Sequence, residues 1–147
     1  MLKTTVAVVI LVSVASSASA QVNSADLKWG PAPAVFPKGV QMAVLSGDPA
    51  KAGQFVIRLK MPADYKIPAH HHPTDEYVTV VSGDLGLGMG DKLDAAKSAA
   101  LTAGGFAMAP KDMNHYAFSK SGAVVQVSAE GPFAMTYVNP MDDPTKK

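Results

Sequence analysis

Residues 68–83 read PAHHHPTDEYVTVVSG. The chain has four histidines, and three of them are consecutive here. Pro68 and Pro73 bracket the cluster and disfavour helix on both sides, so the segment reads as extended chain. Side chains alternate faces along extended chain, which sends His70 and His72 one way and His71 the other. Pro73-Thr74-Asp75 reads as a turn, and Glu76 opens the apolar run that follows. A turn between antiparallel strands folds Glu76 back toward the His70/His72 pair. Two imidazoles and a carboxylate then meet, the ligand chemistry of a borderline divalent metal. His71, by parity, is solvated or supports the others from outside.

Working outward, the same grammar repeats. Residues 55–61 alternate Phe55, Ile57, Leu59 and Met61 with Val56, Arg58 and Lys60. This is the period of a half-buried strand. Further strands are expected at 41–45, 77–81, 85–89, 106–109, 115–118, 124–129 and 133–138. Turns are expected at Gly83-Asp84, Ser121-Gly122 and Gly131-Pro132. Many short strands with regular turns describe an all-β sandwich or barrel. Residues 91–100 (DKLDAAKSAA) break the pattern and read as an insertion, either a short helix or an exposed loop. The fourth histidine, His115, follows a second turn, Pro110-Lys111-Asp112-Met113-Asn114, and starts the strand HYAFS.

These corners resemble the two motifs of the cupin superfamily. The first is written G-x5-H-x-H-x3-E-x6-G, and His70, His72, Glu76 and Gly83 match it in register, with Asp64 at the leading glycine. The second is G-x5-P-x-G-x2-H-x3-N. Gly104, Pro110 and His115 match, while Asp112 and Ser119 replace the second glycine and the asparagine. The resemblance covers roughly residues 41–138. It implies a single jelly-roll-like antiparallel barrel with His70, His72, Glu76 and His115 as ligands of one divalent transition metal: iron, manganese, nickel, copper or zinc. It also implies a small-molecule ligand or substrate. Dioxygenases, oxalate enzymes, isomerases, lyases and plain binding proteins share such a site, and the fold does not choose among them. Two functions are therefore expected as alternatives: a metal-dependent oxygenase or lyase/isomerase, or a non-catalytic metal- or ligand-binding protein. No catalytic residue beyond the ligands is identified.

Composition bounds the rest. Lys3, the apolar stretch at residues 6–15 (VAVVILVSVA) and Ala18-Ser19-Ala20 read as a signal peptide cleaved after Ala20. The apolar run is half the roughly 20 residues needed to span a bilayer. The expectation is a secreted or periplasmic protein without a stable membrane anchor. The remaining 127 residues (147 less twenty) suit one domain. They divide into a Pro-rich arm at 21–40, the barrel at 41–138 and a tail at 139–147. There is no cysteine, so packing rather than disulfides holds the fold. Without Lys3 the 13 basic residues become 12, against 12 acidic ones, which provides no field for nucleic acid. Trp29 and Phe36 on the arm are candidate plugs for a homodimer. Met61, Met89 and Met108 are expected to pack in strands rather than bind copper. Gly86, Gly88 and Gly90 lack the context of a dinucleotide site and are read as a bare strand face that another backbone approaches. Asp75 and Asp112 are read as turn-bonding groups, and no hydrolase nucleophile motif occurs.

Overall fold

The structure, a computed structural model, describes residues 21–146. The expected signal peptide, residues 1–20, lies outside the described residues. No helix among the described residues is long and apolar enough to cross a membrane.

The alternating stretch forms β3 (Gly53–Met61), with Phe55, Ile57, Leu59 and Met61 buried and Lys60 exposed. It pairs antiparallel along its whole length with β9 (Ala123–Gly131), which turns Val125, Val127 and Ala129 to the same side. On its other flank lie β2 (Gln41–Ser46) and the short β1 (Gly30–Pro31). The second half of the fold contains β4 (Tyr65–His71), β8 (His115–Ser119) and the two-residue β10 (Thr136–Tyr137). The strand order is β1-β2-β3-β9-β5-β8-β4-β10, where β5 is Glu76–Met89, so one curled antiparallel sheet encloses a single apolar core. The chain has the cupin β-barrel fold, as the motifs imply.

β5 corrects the expected turn at Gly83-Asp84. It is one 14-residue strand. Its first half pairs with β9 and β7 (Phe106–Ala109), its second half with β8 and β6 (Ala99–Thr102). The register with β9 slips between Val80 and Ser82, a bulge that bends the strand instead of reversing it. Gly83 has φ +81°, and a Cβ there would collide with the Gly122 carbonyl. Asp84 serves the neighbouring corner: it accepts from the backbone N–H groups of Lys120 and Ser121 at 2.9 and 2.8 Å. Gly83 and Asp84 thus keep the chemistry of turn residues inside a continuous strand.

Other expectations are adjusted in detail. Residues 91–100 are neither free loop nor regular helix. A single 3-10 turn at Ala95–Lys97, capped by Asp94, leads straight into β6. The 133–138 strand shrinks to β10, because residues 132–135 cross between the two halves of the barrel. The bare face of Gly86 and Gly88 is covered by side chains, not backbone. Phe118 and Tyr116, their cross-strand partners on β8, lie where Cβ atoms would stand. Met61 is buried as expected, whereas Met89 and Met108 are exposed. Phe36 packs in the barrel's own core and stacks on Phe133 at 5.6 Å with the rings 8° from parallel. Trp29 is half-buried beneath the Lys60 ammonium, 5.8 Å from the ring centroid.

Candidate metal centre

The histidine cluster occupies the end of β4 and the turn after it. Alternation along β4 buries Tyr65, Ile67 and Ala69, and strict parity from Ile67 would send His71 inward. A bulge intervenes. Ile67 faces Ala117 and His70 faces His115, so β4 spends one residue more than β8 between the two pairs. Pro68 sits inside this interval; it has no N–H to donate to a ladder, which suits it to a bulge. One extra residue flips the face of everything beyond it. His70 and His72 consequently turn inward, 3% and 5% exposed, and His71 turns out. His115, the first residue of β8, is 1% exposed. The ligand atoms of His70, His72 and His115 lie within 4.8 Å of one another.

All three rings are held in one tautomer. The Nδ1 of His70 stands 2.7 Å from the Pro68 carbonyl, that of His72 2.7 Å from the Ala134 carbonyl, and that of His115 2.9 Å from the Met113 carbonyl. A carbonyl only accepts, so each Nδ1 carries the proton and each Nε2 presents a lone pair to the shared centre. His72 Nε2 and His115 Nε2 are buried and have no hydrogen-bond partner. Glu76 begins β5 and places its two carboxylate oxygens 3.6 Å from His72 Nε2 and 3.4 Å from His115 Nε2. Lone pairs therefore face lone pairs, an arrangement that calls for a cation or a proton between them. Donors about 2.1 Å from one ion stand about 3.0–3.5 Å apart at 90–110°, so the Glu76 contacts have suitable spacing. The histidine ligand atoms, within 4.8 Å of one another, close by up to about 1.3 Å to reach that same spacing around one ion. The residues present fit a divalent transition metal.

The electrostatics agree. Burial, reinforced by the two neighbouring imidazoles, pushes the His70 pKa down to about 3. His72 is lowered chiefly by burial. Burial also opposes ionisation of Glu76 and His115, yet their mutual attraction outweighs it: Glu76 is held below the usual carboxylate range and His115 above the usual imidazole range. In the metal-free protein the Glu76 carboxylate thus favours protonation of His115, as it would favour a cation at the same place.

The remaining sequence candidates fall outside this centre. His71 Nδ1 stands 3.1 Å from Asn114 Oδ1, and the Asn114 amide donates to Asp91 at 2.7 Å. Asp75 accepts from the Lys111 N–H at 2.7 Å, and Asp112 adopts φ +59°. Asp64, at the first motif's leading glycine, likewise has φ +57°. Both missing motif glycines are therefore replaced by a residue whose short polar side chain tolerates the left-handed region.

Beside the centre is an interior cavity of about 30 Å³. His70, Glu76 and His115 are the polar side chains that line it; the rest of its wall is apolar and includes Leu59, Ile67, Val78, Leu85, Val125 and Val127. Phe36, Met135 and the Ala134 carbonyl also serve the site, and sequence reasoning missed them. Their only signal was a position in apolar or Pro-rich stretches, and a backbone carbonyl leaves no signal at all.

The model of a family described as a domain of unknown function (DUF4437) matches residues 12–136. The chain belongs to that family. Among curated proteins none matches the sequence. Among solved structures, this DUF4437 chain is similar to the polyketide cyclase RemF from Streptomyces resistomycificus. The TM-score is 0.70 at 17% identity over 86% of this chain and 89% of that one. A candidate acetylacetone dioxygenase from Methylibium petroleiphilum aligns at TM-score 0.64 and 20% identity, over 98% and 90% of the two chains. An RmlC-like cupin from Shewanella frigidimarina aligns at 0.57 and 14%, over 74% and 87%. At these identities the likeness establishes the cupin fold and nothing finer.

Proposed function

We propose that this chain is a metal-dependent cupin enzyme acting on a small chelating molecule, with His70, His72, Glu76 and His115 holding one divalent metal. One observation carries the reading: three buried imidazoles, each locked by a backbone carbonyl, converge with a carboxylate in an otherwise apolar interior. A structural core has no use for unpartnered Nε2 atoms, which cost stability unless a ligand satisfies them.

When bound, the metal would supply Lewis acidity and a template for the substrate's oxygens. Three imidazoles and one carboxylate suit iron, manganese, nickel, copper or zinc. The chain's residues do the remaining work. The Pro68, Met113 and Ala134 carbonyls fix the tautomers and aim the rings. The aliphatic wall excludes water and strengthens every polar interaction at the centre. Cupins of known structure include a polyketide cyclase and a candidate acetylacetone dioxygenase, so oxygenase and lyase/isomerase chemistry both suit the site. We also infer export, with cleavage after Ala20, supported by the Lys3, apolar-run and Ala-Ser-Ala pattern. The arm, barrel and tail divisions at 21–40, 41–138 and 139–147 are part of the same reading.

A second reading is a non-catalytic metal- or ligand-binding cupin. The small interior cavity and the absence, in its lining, of an acid or base outside the candidate ligands favour it. Metal analysis of protein from its own host, followed by oxygen uptake and product analysis with chelating substrates, separates the two. Bound metal with turnover supports the enzyme. Bound metal with tight ligand binding and no turnover supports the binding protein. Protein without metal that also fails to take up iron, manganese, nickel, copper or zinc would overturn both.

A further inference from the structure

Residues 132–135 form a strap across the mouth of the barrel. One end leaves β9 at Gly131, opposite Gly53 of β3; the other enters β10, opposite His71 and His70 of β4. The Phe133 N–H donates to the Pro49 carbonyl at 2.7 Å, and the Ala134 carbonyl accepts from His72 Nδ1. The Phe133 ring is stacked on Phe36, edge-on to Phe55 at 6.4 Å and 5.2 Å from the His72 ring. On its far side the strap walls an outer groove of about 550 Å³, which also touches Val35, Met42, Val44 and Pro49. Met135 lines both the groove and the interior cavity.

Volume separates the roles of these two spaces. The interior cavity, at about 30 Å³, holds only one or two waters' worth of room. The outer groove falls within the ~300–1,000 Å³ of small-molecule sites. Its lining is apolar except for Asp48, whose carboxylate is already engaged by the Ala50 N–H at 3.0 Å and by Lys51 at 3.1 Å. No free cation in the lining awaits an acid. A single strap of residues separates this groove from the ring of His72, and that strap supplies the acceptor that aims it.

We propose that this groove is a binding site for an uncharged, apolar body, and that the Phe133–Met135 strap couples its occupancy to the metal centre. Resting on the metal-enzyme reading, this makes the substrate an apolar molecule whose chelating end passes Met135. Val35, Met42 and Val44 select for size, and Phe133 and Met135 form the shared wall.

The test uses naphthalene as probe, first on the metal-free protein and then on the cobalt-loaded one. Val44 is 48% exposed, so Val44→Trp fills the groove and Val44→Lys charges it without disturbing the core. Naphthalene should bind wild type, and both variants should bind it at least tenfold more weakly with unchanged cobalt content. In the loaded protein, naphthalene should shift the visible cobalt spectrum of wild type but not of Val44→Trp. Wild type that does not bind, or variants that bind within twofold of it, would overturn the site. Binding without a spectral shift would overturn the coupling. Naphthalene binding that declines as protein concentration rises, with a dimer mass in light scattering, would assign the groove to a second copy and overturn the proposal. Failure to load cobalt would count against the metal reading, while the metal-free titration would still decide the groove.

Discussion

Replacing His72 with alanine, beside the same change at His71, tests the centre at its origin. The two residues are chain neighbours with the same chemistry, and the bulge at Pro68 sends them to opposite faces. Loss of a partner that merely orients a ligand costs about 10–100-fold in metal affinity. His72→Ala removes the donor itself and leaves the Ala134 carbonyl without its N–H, so the loss should be at least about 100-fold, or ~2.7 kcal/mol. His71→Ala removes a half-buried ring with one hydrogen bond to Asn114, whose amide still holds Asp91. Its effect on metal affinity should stay within a few-fold. The assay is competition for cobalt or zinc against a chromophoric chelator at pH 7.5, with thermal melting to confirm that both variants fold. Equal losses in the two variants would refute the geometry of β4. Unchanged affinity in both would place the metal elsewhere.

Three more outcomes follow from the same geometry. His115 is held above the usual imidazole range by Glu76, and coordination requires it neutral; metal affinity should therefore begin to fall already above about pH 6.5, and an affinity flat down to pH 5 in a zinc titration would refute this. The metal-free protein should lose stability between about pH 6.5, where an unfolded histidine takes its proton, and about pH 3, where folded His70 does. The unfolded chain binds more protons across that window, so stability falls as pH falls, at up to ~1.4 kcal/mol per pH unit from His70. Lowered His72 and Glu76 act in the same direction, while His115 opposes them by adding stability below about pH 6.5 that fades as pH rises through its folded value; urea unfolding at pH 4 and 7 reads the sum, and equal midpoints would count against the burial of His70. Gly83→Ala should destabilise by about 2 kcal/mol or more, because it joins a positive φ to a backbone collision with Gly122, whereas Asp64→Gly should be tolerated within about 1 kcal/mol because φ +57° suits glycine at least as well; denaturant midpoints of the two variants compare them directly.

The β3 pattern, the histidine spacing and Glu76 at the head of a strand were all legible, because each is a local rule. Period two reports a half-buried strand, and x-H-x-H reports two side chains on one face. Turn residues were legible as chemistry but not as geometry. Gly83-Asp84 carries the signature of a reversal, yet the structure uses the glycine for a positive φ and a close approach to Gly122 just after the bulge in β5, and the aspartate to cap the corner at Ser121. The choice between bending and reversing is made by β8 and β9, which flank the two halves of β5 and lie 26 or more residues away in sequence. A window of local sequence does not contain them. The same holds for the insertion at 91–100, whose final residues become β6 only because the second half of β5 offers an edge.

Parity along the histidine run had a similar limit. It fixed His70 and His72 to one face and His71 to the other, but it did not say which face is inside. Counting by twos from the buried Tyr65 and Ile67 would have chosen His71. The extra residue between Ile67 and His70 reverses that count, and Pro68 within it is the one feature of the sequence that marks the place. The convergence of three imidazoles therefore depends on a backbone irregularity as much as on the histidines. Deleting Ala69 would remove that extra residue: plain alternation from Ile67 would then turn His70 and His72 inward, leave His71 outside and keep His70 opposite His115. If the bulge serves only to set this parity, the deletion variant should keep the β-sheet circular dichroism of wild type and hold metal far more tightly than His72→Ala does. A deletion variant that folds yet loses metal as severely as His72→Ala would show that parity alone does not orient the site.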